Sequence, residues 1–406
     1  MKIELQNVAL AFVTVVAMVF PLRARCWPVG TFESFATSAD GSKIVALSNA
    51  EAGAAGGIYT STNSGATWHI SSSLNVDWEA VASSADGSKL IAASGWVSTT
   101  GSVYLSTNYG GNWAPANGLP NAEWNSVASS ADGIKLTAVA VNVPAIYAST
   151  NSGTDWTRET NGLAGAGFDY IACSADGNNL IAAMGGPVDG NLYTSTNSGA
   201  NWVQASNAPV ADWYSVASSA NGSQLLACSY SGGNVYISTN AGLNWTRTRL
   251  PTNDWNSVAS SADGTKLVAL ANSGSATVGV GAGGIWTSTD SGLTWVSNQV
   301  QSAAWTCAAM SADGNEVIAG VGYPSTLGEI SVSQTRPSPV LNLMTCSTNF
   351  ALSWIIPSTN FVLQQSPDLI SWNNVTNAPV LNLTNLQNQI ILSPSYDIGF
   401  YRLATP

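Results

Sequence analysis

The chain has 406 residues, of which 9% are charged and 45% hydrophobic, and 23 acidic against 12 basic residues give a net charge of −11. So acidic a chain repels phosphate backbones and carries no Lys/Arg cluster to track them, which excludes nucleic-acid binding. Few charged helix formers, with abundant Gly, Ser, Thr and Asn and 16 Trp, favour strands joined by tight turns over long surface helices or disorder.

The N-terminus reads as an export signal over residues 1–26. Lys2 precedes an apolar run, Val8–Phe20, which is followed by Pro21 and the small residue Ala24. The run has 13 residues, short of the roughly 20 that a membrane span needs. Cleavage is therefore expected near Arg25–Trp27, with an exported product in the extracellular space, at the cell surface or in the periplasm. No second apolar segment of spanning length follows, so no stable membrane span is expected.

Residues 27–334 are built on a repeat. Asp-Gly or Asn-Gly pairs recur at Asp40, Asp86, Asp132, Asp176, Asn221, Asp263 and Asp313, with spacings of 46, 46, 44, 45, 42 and 50 residues. A second signature accompanies six of them: STNSGATW (61–68), STNYGGNW (106–113), STNSGTDW (149–156), STNSGANW (195–202), STNAGLNW (238–245) and STDSGLTW (288–295). Each Asp-Gly pair lies between apolar runs and predicts a two-residue hairpin turn in which Gly supplies the positive φ. Each Asn-x-Gly predicts a second hairpin, where the Asx side chain bonds nearby amides and the Trp enters the last strand. Four short strands per unit of about 45 residues is the unit length of a propeller blade. The expected fold is all-β, a seven-bladed β-propeller with a small C-terminal β-sandwich.

The second signature resembles the Asp-box, or BNR, repeat S-x-D-x-G-x-x-W of sialidase-like, sortilin-like and photosystem-assembly-factor-like propellers. Six copies keep Ser, Gly and Trp in register, but five place Asn where the motif has Asp, and only Asp290 keeps the acid. Asn makes the same turn without supplying charge, so a metal or catalytic role for the boxes is not expected. The last unit lacks a box. Its outer strand is expected from the N-terminus, with Trp27 in place of the absent box Trp.

Residues 335–340, TRPSPV, read as a linker, since two prolines in four residues resist regular structure. Residues 341–406 contain short apolar runs broken by Pro and Asn. They loosely resemble an immunoglobulin- or fibronectin-type sandwich, with Trp354 and Trp372 expected in its core.

Eight residues before each Asp-Gly turn stands an aromatic: Phe32, Trp78, Trp124, Phe168, Trp213, Trp255 and Trp305. Acids flank six of them, namely Glu33, Asp77 and Glu79, Glu123, Asp169, Asp212 and Asp254. These residues begin the innermost strands, on the face that also carries the loops between second and third strands. Those loops vary widely (48–57, 94–102, 184–191, 272–284 and 321–328), and variable loops on a rigid ring are where binding usually lives. One reading makes the aromatics wedges between blades, with the acids on a solvated rim. The other makes Trp78, Trp124, Trp213 and Trp255, with Asp77, Glu123, Asp212 and Asp254, a ligand-binding face that takes a sugar, a cation or a basic peptide.

Enzyme classes fare poorly. A sialidase requires three arginines around a substrate carboxylate, whereas residues 27–334 before the last unit hold only Arg158, Arg247 and Arg249, placed on or after outer strands. The single histidine, His69, follows a box Trp on an outer strand, which removes a Ser–His–Asp triad and a Cys/His metal site. The Gly279, Gly281 and Gly284 run matches a dinucleotide fingerprint in form only, since no helix follows it. Cys173, Cys228 and Cys307 occupy different repeat positions and read as small buried residues. The expectation is a monomeric, non-enzymatic binding or scaffold module for a glycan or protein, with no catalytic residue, metal or cofactor. The alternative is a carboxylate-dependent glycoside hydrolase using two acids of the rim.

Overall fold

A computed structural model describes residues 31–49, 57–72, 76–95, 101–143, 145–163, 167–185, 190–272, 283–298, 304–322 and 330–334. In the C-terminal part it describes 342–346, 349–355, 362–366, 371–376, 379–382, 387–392 and 400–404. Among these residues all regular structure is β-strand, and no helix is long and apolar enough to cross a membrane.

The repeats fold as a β-propeller with six four-stranded antiparallel blades. The first blade holds β1 (Thr31–Thr37), β2 (Ile44–Asn49), β3 (Gly57–Ser61) and β4 (His69–Ser72). The second holds β5 (Trp78–Ser83), β6 (Leu90–Ser94), β7 (Val103–Ser106) and β8 (Ala114–Pro115). The third holds β9 (Trp124–Ser129), β10 (Leu136–Ala140), β11 (Ile146–Ser149) and β12 (Thr157–Glu159). The fourth holds β13 (Tyr170–Cys173), β14 (Leu180–Ala183), β15 (Leu192–Ser195) and β16 (Val203–Gln204). The fifth holds β17 (Trp213–Ser218), β18 (Leu225–Ser229), β19 (Val235–Ser238) and β20 (Thr246–Arg247). The sixth holds β21 (Trp255–Ser260), β22 (Leu267–Ala271), β23 (Gly284–Ser288) and β24 (Val296–Ser297).

A three-stranded sheet follows, β25 (Trp305–Met310), β26 (Glu316–Val321) and β27 (Ile330–Gln334). Its first strand packs against both β21 and β1, so the first strands form a closed cycle. Thr306 Oγ1 donates to the Phe32 carbonyl at 2.8 Å across that joint. The residues expected to add an outer strand there, around Trp27, lie outside the described residues.

The core lies between successive sheets. The second strands are buried along their whole length in the six blades, as short apolar runs with covered faces should be. Trp78, Trp124, Trp213, Trp255, Phe32 and Phe168 are each 0% exposed. Trp78 packs with Val45, Leu47 and Ile58 of the preceding blade and edge-on against Tyr104 of its own at 5.2 Å. The same edge-on pairing joins Trp124 to Tyr147, Phe168 to Tyr193 and Trp213 to Tyr236. The aromatics are wedges.

Each box is a hydrogen-bonded turn. In the first, the amides of Gly65 and Thr67 donate to Ser61 Oγ and Asn63 Oδ1 at 2.9 and 2.8 Å, and Trp68 Nε1 donates to the Gly65 carbonyl at 3.2 Å. The residue before the box Gly also takes a positive φ, 53° at Ser64 and 60° at Tyr109, so two left-handed residues reverse the chain where one was expected. Box tryptophans are mostly half-buried, and Trp202, at 3% exposure, is the deeply buried one.

The Asp-Gly hairpins correct the two-residue expectation. Ser38 N pairs with the Lys43 carbonyl, leaving four residues in the turn, and Gly41 N donates to the Ser38 carbonyl. The reason lies next door: Ala39 N is turned away from its own hairpin to donate to the Ala85 carbonyl of the following blade. The pattern continues through Ala131, Ala175, Ala220, Ala262 and Ala312 and back to Ala39, a closed cycle of backbone hydrogen bonds at 2.7–2.8 Å. These alanines form one apolar cluster. They close the propeller axis at the turn face.

The C-terminal residues form two antiparallel sheets. One orders β28 (Asn342–Cys346), β29 (Asn349–Ile355), β33 (Gln387–Leu392) and β32 (Val380–Asn382); the other orders β31 (Asn373–Asn374), β30 (Val362–Ser366) and β34 (Phe400–Ala404). Strand β28 was not anticipated. Trp372 is half-buried, and the Trp354 side chain lies outside the described residues.

Candidate functional site

The crossover segments and the loops between second and third strands do share one face. Isolated bridges Gly101–Ala122, Gly190–Ala211, Gly233–Asn253 and Asn272–Ala304 tie four of these loops to the crossover entering the next blade. The opposite face carries the Asp-Gly turns and boxes, tied together by bonds such as Ser64 N to the Ser42 carbonyl at 2.9 Å. Most of the variable loop residues lie outside the described residues. Gly279 and Gly281 lie there too.

On the crossover face a β-bulge recurs one residue after the wedge aromatic. Strand β1 pairs Phe32 with Ser48 and then Ser34 with Leu47, so the register shifts at Glu33. The same shift occurs at Glu79, Asn125, Tyr214, Asn256 and Thr306. A bulge bends the strand and re-aims the extra side chain. Here it takes that side chain off the buried wedge face and toward the axis. In the fourth blade the strand begins at Tyr170 instead, and Asp169 N donates to the Ala183 carbonyl at 3.0 Å.

The bulge residues interact across the mouth. Burial, then the charges of Glu33 and Asp77, push the Glu79 carboxyl up to about 9. Glu79 Oε1 is buried without a hydrogen-bond partner. Tyr214 belongs to the fifth blade, yet after burial and Tyr230 its phenol, pushed up to about 12, is raised by Glu33, Asp212 and Glu79. Those glutamates belong to the first and second blades, so the cluster spans the axis. Tyr214 is 38% exposed and stacks on Tyr230, with centroids 4.9 Å apart and planes at 28°. Tyr170 lies 5.6 Å from Tyr214 with the ring planes tilted at 38°, and burial first, then Tyr214 and Asp169, holds its phenol well above the ordinary value.

The eight expected site residues divide. Trp78, Trp124, Trp213 and Trp255 are fully buried, so their indoles offer no stacking surface to a ligand. Their burial between blades agrees with the wedge reading of those four. Asp254 is also 0% exposed, and its Oδ1 accepts from Gly232 N at 2.6 Å, pinning the loop after β18. It is an anchor, not a rim charge. Asp77 is exposed, and Glu123 and Asp212 are half-buried. Their carbonyls accept from Gly95, Val141 and Tyr230 amides at 2.9, 3.0 and 2.9 Å, which fixes all three at equivalent strand ends. Asp77 and Asp212 join the axial cluster through Glu79 and Tyr214.

Sequence reasoning passed over Tyr214, Tyr230, Tyr170 and Asn256, and it treated Glu33 and Glu79 as mere flanking acids. The available signal was the residue after each wedge aromatic: Glu33, Glu79, Asn125, Asp169, Tyr214, Asn256 and Thr306 differ where their neighbours repeat. Other groups stand away from this mouth. Arg158, Arg247, Arg249 and His69 are exposed, on or just beyond outer strands. Cys228 and Cys307 are buried and Cys173 half-buried, all as free thiols, and burial pushes Cys173 up to about 12. Among the described residues no group of three or more His, Cys, Asp or Glu is placed to hold a metal ion.

No family model and no curated protein matches the chain. Solved structures do. A GH74 xyloglucanase from Xanthomonas campestris is 14% identical with a TM-score of 0.58, over 81% of this chain and 58% of its own. The chain thus spans little more than half of that enzyme. YCF48 from Cyanidioschyzon merolae is 14% identical with a TM-score of 0.54, covering 76% of this chain and 97% of its own. A chain of the mitotic checkpoint complex is 12% identical with a TM-score of 0.60, covering 83% and 98%. A further YCF48 structure, with a TM-score of 0.53, holds a bound D1 peptide. At these identities the likeness is one of fold.

Proposed function

We propose that the protein is an exported, non-enzymatic binding module whose crossover face takes a cationic segment of a partner protein. One observation carries this: the turn-face end of the axis is closed by the alanine cycle, while at the crossover end Glu33, Glu79, Asp77 and Asp212 gather around an exposed tyrosine stack. The charges of Glu33, Asp77 and Asp212 at this mouth raise the local negative potential and draw in cations. The buried indoles disfavour sugar stacking, and propeller neighbours that assemble with a peptide or with proteins agree with a protein ligand. In this reading the three-stranded sheet is a seventh blade, the boxes are Asp-box repeats, and the two C-terminal sheets are an immunoglobulin- or fibronectin-like sandwich. An intact mass of the exported chain starting near residues 25–27 would support secretion, and retention of residues 1–20 would count against it.

The test is a paired peptide and glycan array probed with the full exported chain. Cationic peptides should be captured, and Asp77→Lys with Asp212→Lys should abolish capture while leaving the fold intact, since partly exposed charges contribute little to stability. Capture of neutral glycans unaffected by that reversal would refute the reading.

A second reading is a glycoside hydrolase. It draws on Glu79, which burial first and then Glu33 and Asp77 keep protonated near neutrality beside a second acid, a division of roles that carboxylate pairs use. Turnover of a β-glucan that disappears in Glu79→Gln would establish it.

A further inference from the structure

We propose that the axial mouth seats the guanidinium group of one arginine side chain, stacked on the Tyr214–Tyr230 pair and held by the Glu33 and Glu79 carboxylates. The proposal rests on the reading of the crossover face as a site for a cationic protein segment and says which group of that segment is recognised.

Three independent features converge. The first is aromatic: Tyr214 and Tyr230 lie nearly parallel, 4.9 Å apart, and Tyr214 stays 38% exposed beside the axis. A planar cation covers such a ring face, whereas a compact ammonium satisfies charge but does not stack. The second is electrostatic: Glu33 and Glu79, one blade apart, feel each other and Tyr214 across the mouth. The third is unmet hydrogen bonding. Glu79 Oε1 is buried without a partner, and so is Oδ1 of Asn256, which is 7% exposed and occupies the equivalent bulge one blade beyond Tyr214. Buried acceptors without donors are costly, and a guanidinium brings five donors in a plane. A metal ion fits less well, because the described acids form no chelating group of three.

Proton release should accompany binding. The groups facing Glu79 are Glu33 of β1, Asp77 of the crossover and Tyr214 of β17. With the site empty, burial and the two acids keep the Glu79 proton in place at neutral pH. A guanidinium alongside favours the carboxylate, so the carboxyl proton passes to solvent as the ion pair forms.

The probe is an acetylated, amidated Gly-Gly-Arg-Gly-Gly peptide, titrated calorimetrically into the full chain near pH 7 in two buffers of different ionisation enthalpy. Controls replace arginine by citrulline, which has the same shape without charge, or by lysine. The arginine peptide should bind with a fraction of a proton released, and both controls should be at least about tenfold weaker. Glu79→Gln should lose about tenfold in affinity and all of the proton release; Tyr214→Leu should weaken arginine far more than lysine. Circular dichroism and melting confirm that each variant folds, and Glu33→Gln serves as the second carboxylate variant. Equal binding of citrulline, equal binding of lysine, unchanged affinity in Glu79→Gln, or no binding of the arginine peptide each overturns the proposal. If the arginine peptide fails while arrayed cationic peptides are captured and lost on Asp77/Asp212 reversal, the mouth is not the seat but the face reading stands. If no cationic peptide is captured, both fall.

Discussion

Replacing Glu79 by Gln should stabilise the free protein, and increasingly so as pH rises. The Glu79 carboxyl stands at about 9 in the fold against an ordinary value of 4.5, because of burial first and the charges of Glu33 and Asp77 second. Between those values the folded protein holds a proton that the unfolded chain has released. Its stability therefore falls with rising pH through this window, by up to about 1.4 kcal/mol per unit. Below the unfolded value both states are protonated and the cost vanishes. Above the folded value both are ionised and the full cost remains.

From about pH 5 to about pH 7 the wild-type chain should thus lose roughly 3 kcal/mol relative to Glu79→Gln, as an upper figure because solvent entering the mouth relaxes a buried charge. Urea unfolding followed by tryptophan fluorescence at about pH 5, 6, 7 and 8 measures it, since wedge tryptophans report on the blades. Wild type and variant should diverge steadily with pH. Parallel pH profiles would show that Glu79 is solvated like an ordinary surface acid, and the electrostatic account of the mouth would fail with it.

Two further predictions concern the scaffold. Trp202→Ala should destabilise by about 3–5 kcal/mol, because this box indole is 3% exposed, whereas Trp113→Ala, at a half-buried box, should cost clearly less by the same urea assay. Deleting residues 25–30 should lower the melting temperature if they pair with β27, which pairs only with β26 among the described residues; an unchanged melting temperature would mean that the last sheet keeps three strands.

Much of the architecture was legible because the repeat writes the same geometry six or seven times. Ser61, Asn63, Gly65 and Trp68 meet in one turn, and the register of STNSGATW already implied it. The four-residue Asp-Gly turn was not legible, because its cause, the bond from Ala39 to Ala85, joins residues in different units. A single unit read alone favours the tighter hairpin. The role of Trp78 and its equivalents stayed open in the sequence for a similar reason: an aromatic at a strand start serves equally as wedge or platform until the neighbouring blade is in place.

The same contrast locates function. Positions that repeat faithfully (the alanine cycle, the box serines, the wedge aromatics) are buried within or between the blades, so their sameness reflects a shared packing demand. The bulge side chain has left both the ladder and the wedge face, and its task differs between blades: Asn125 Nδ2 donates to the Asp169 carbonyl and Thr306 Oγ1 to the Phe32 carbonyl of the adjoining blade. The seven residues at this place in the repeat are not uniform. They are two glutamates, an aspartate, two asparagines, a tyrosine and a threonine. Glu79 stands where burial and the charges of Glu33 and Asp77 work against its ionisation, and Asn256 and Glu79 each bury an oxygen with no donor. A fold that closes one end of its axis with seven alanines and gathers acids and tyrosines at the other leaves its acidic chemistry where a cation can meet it.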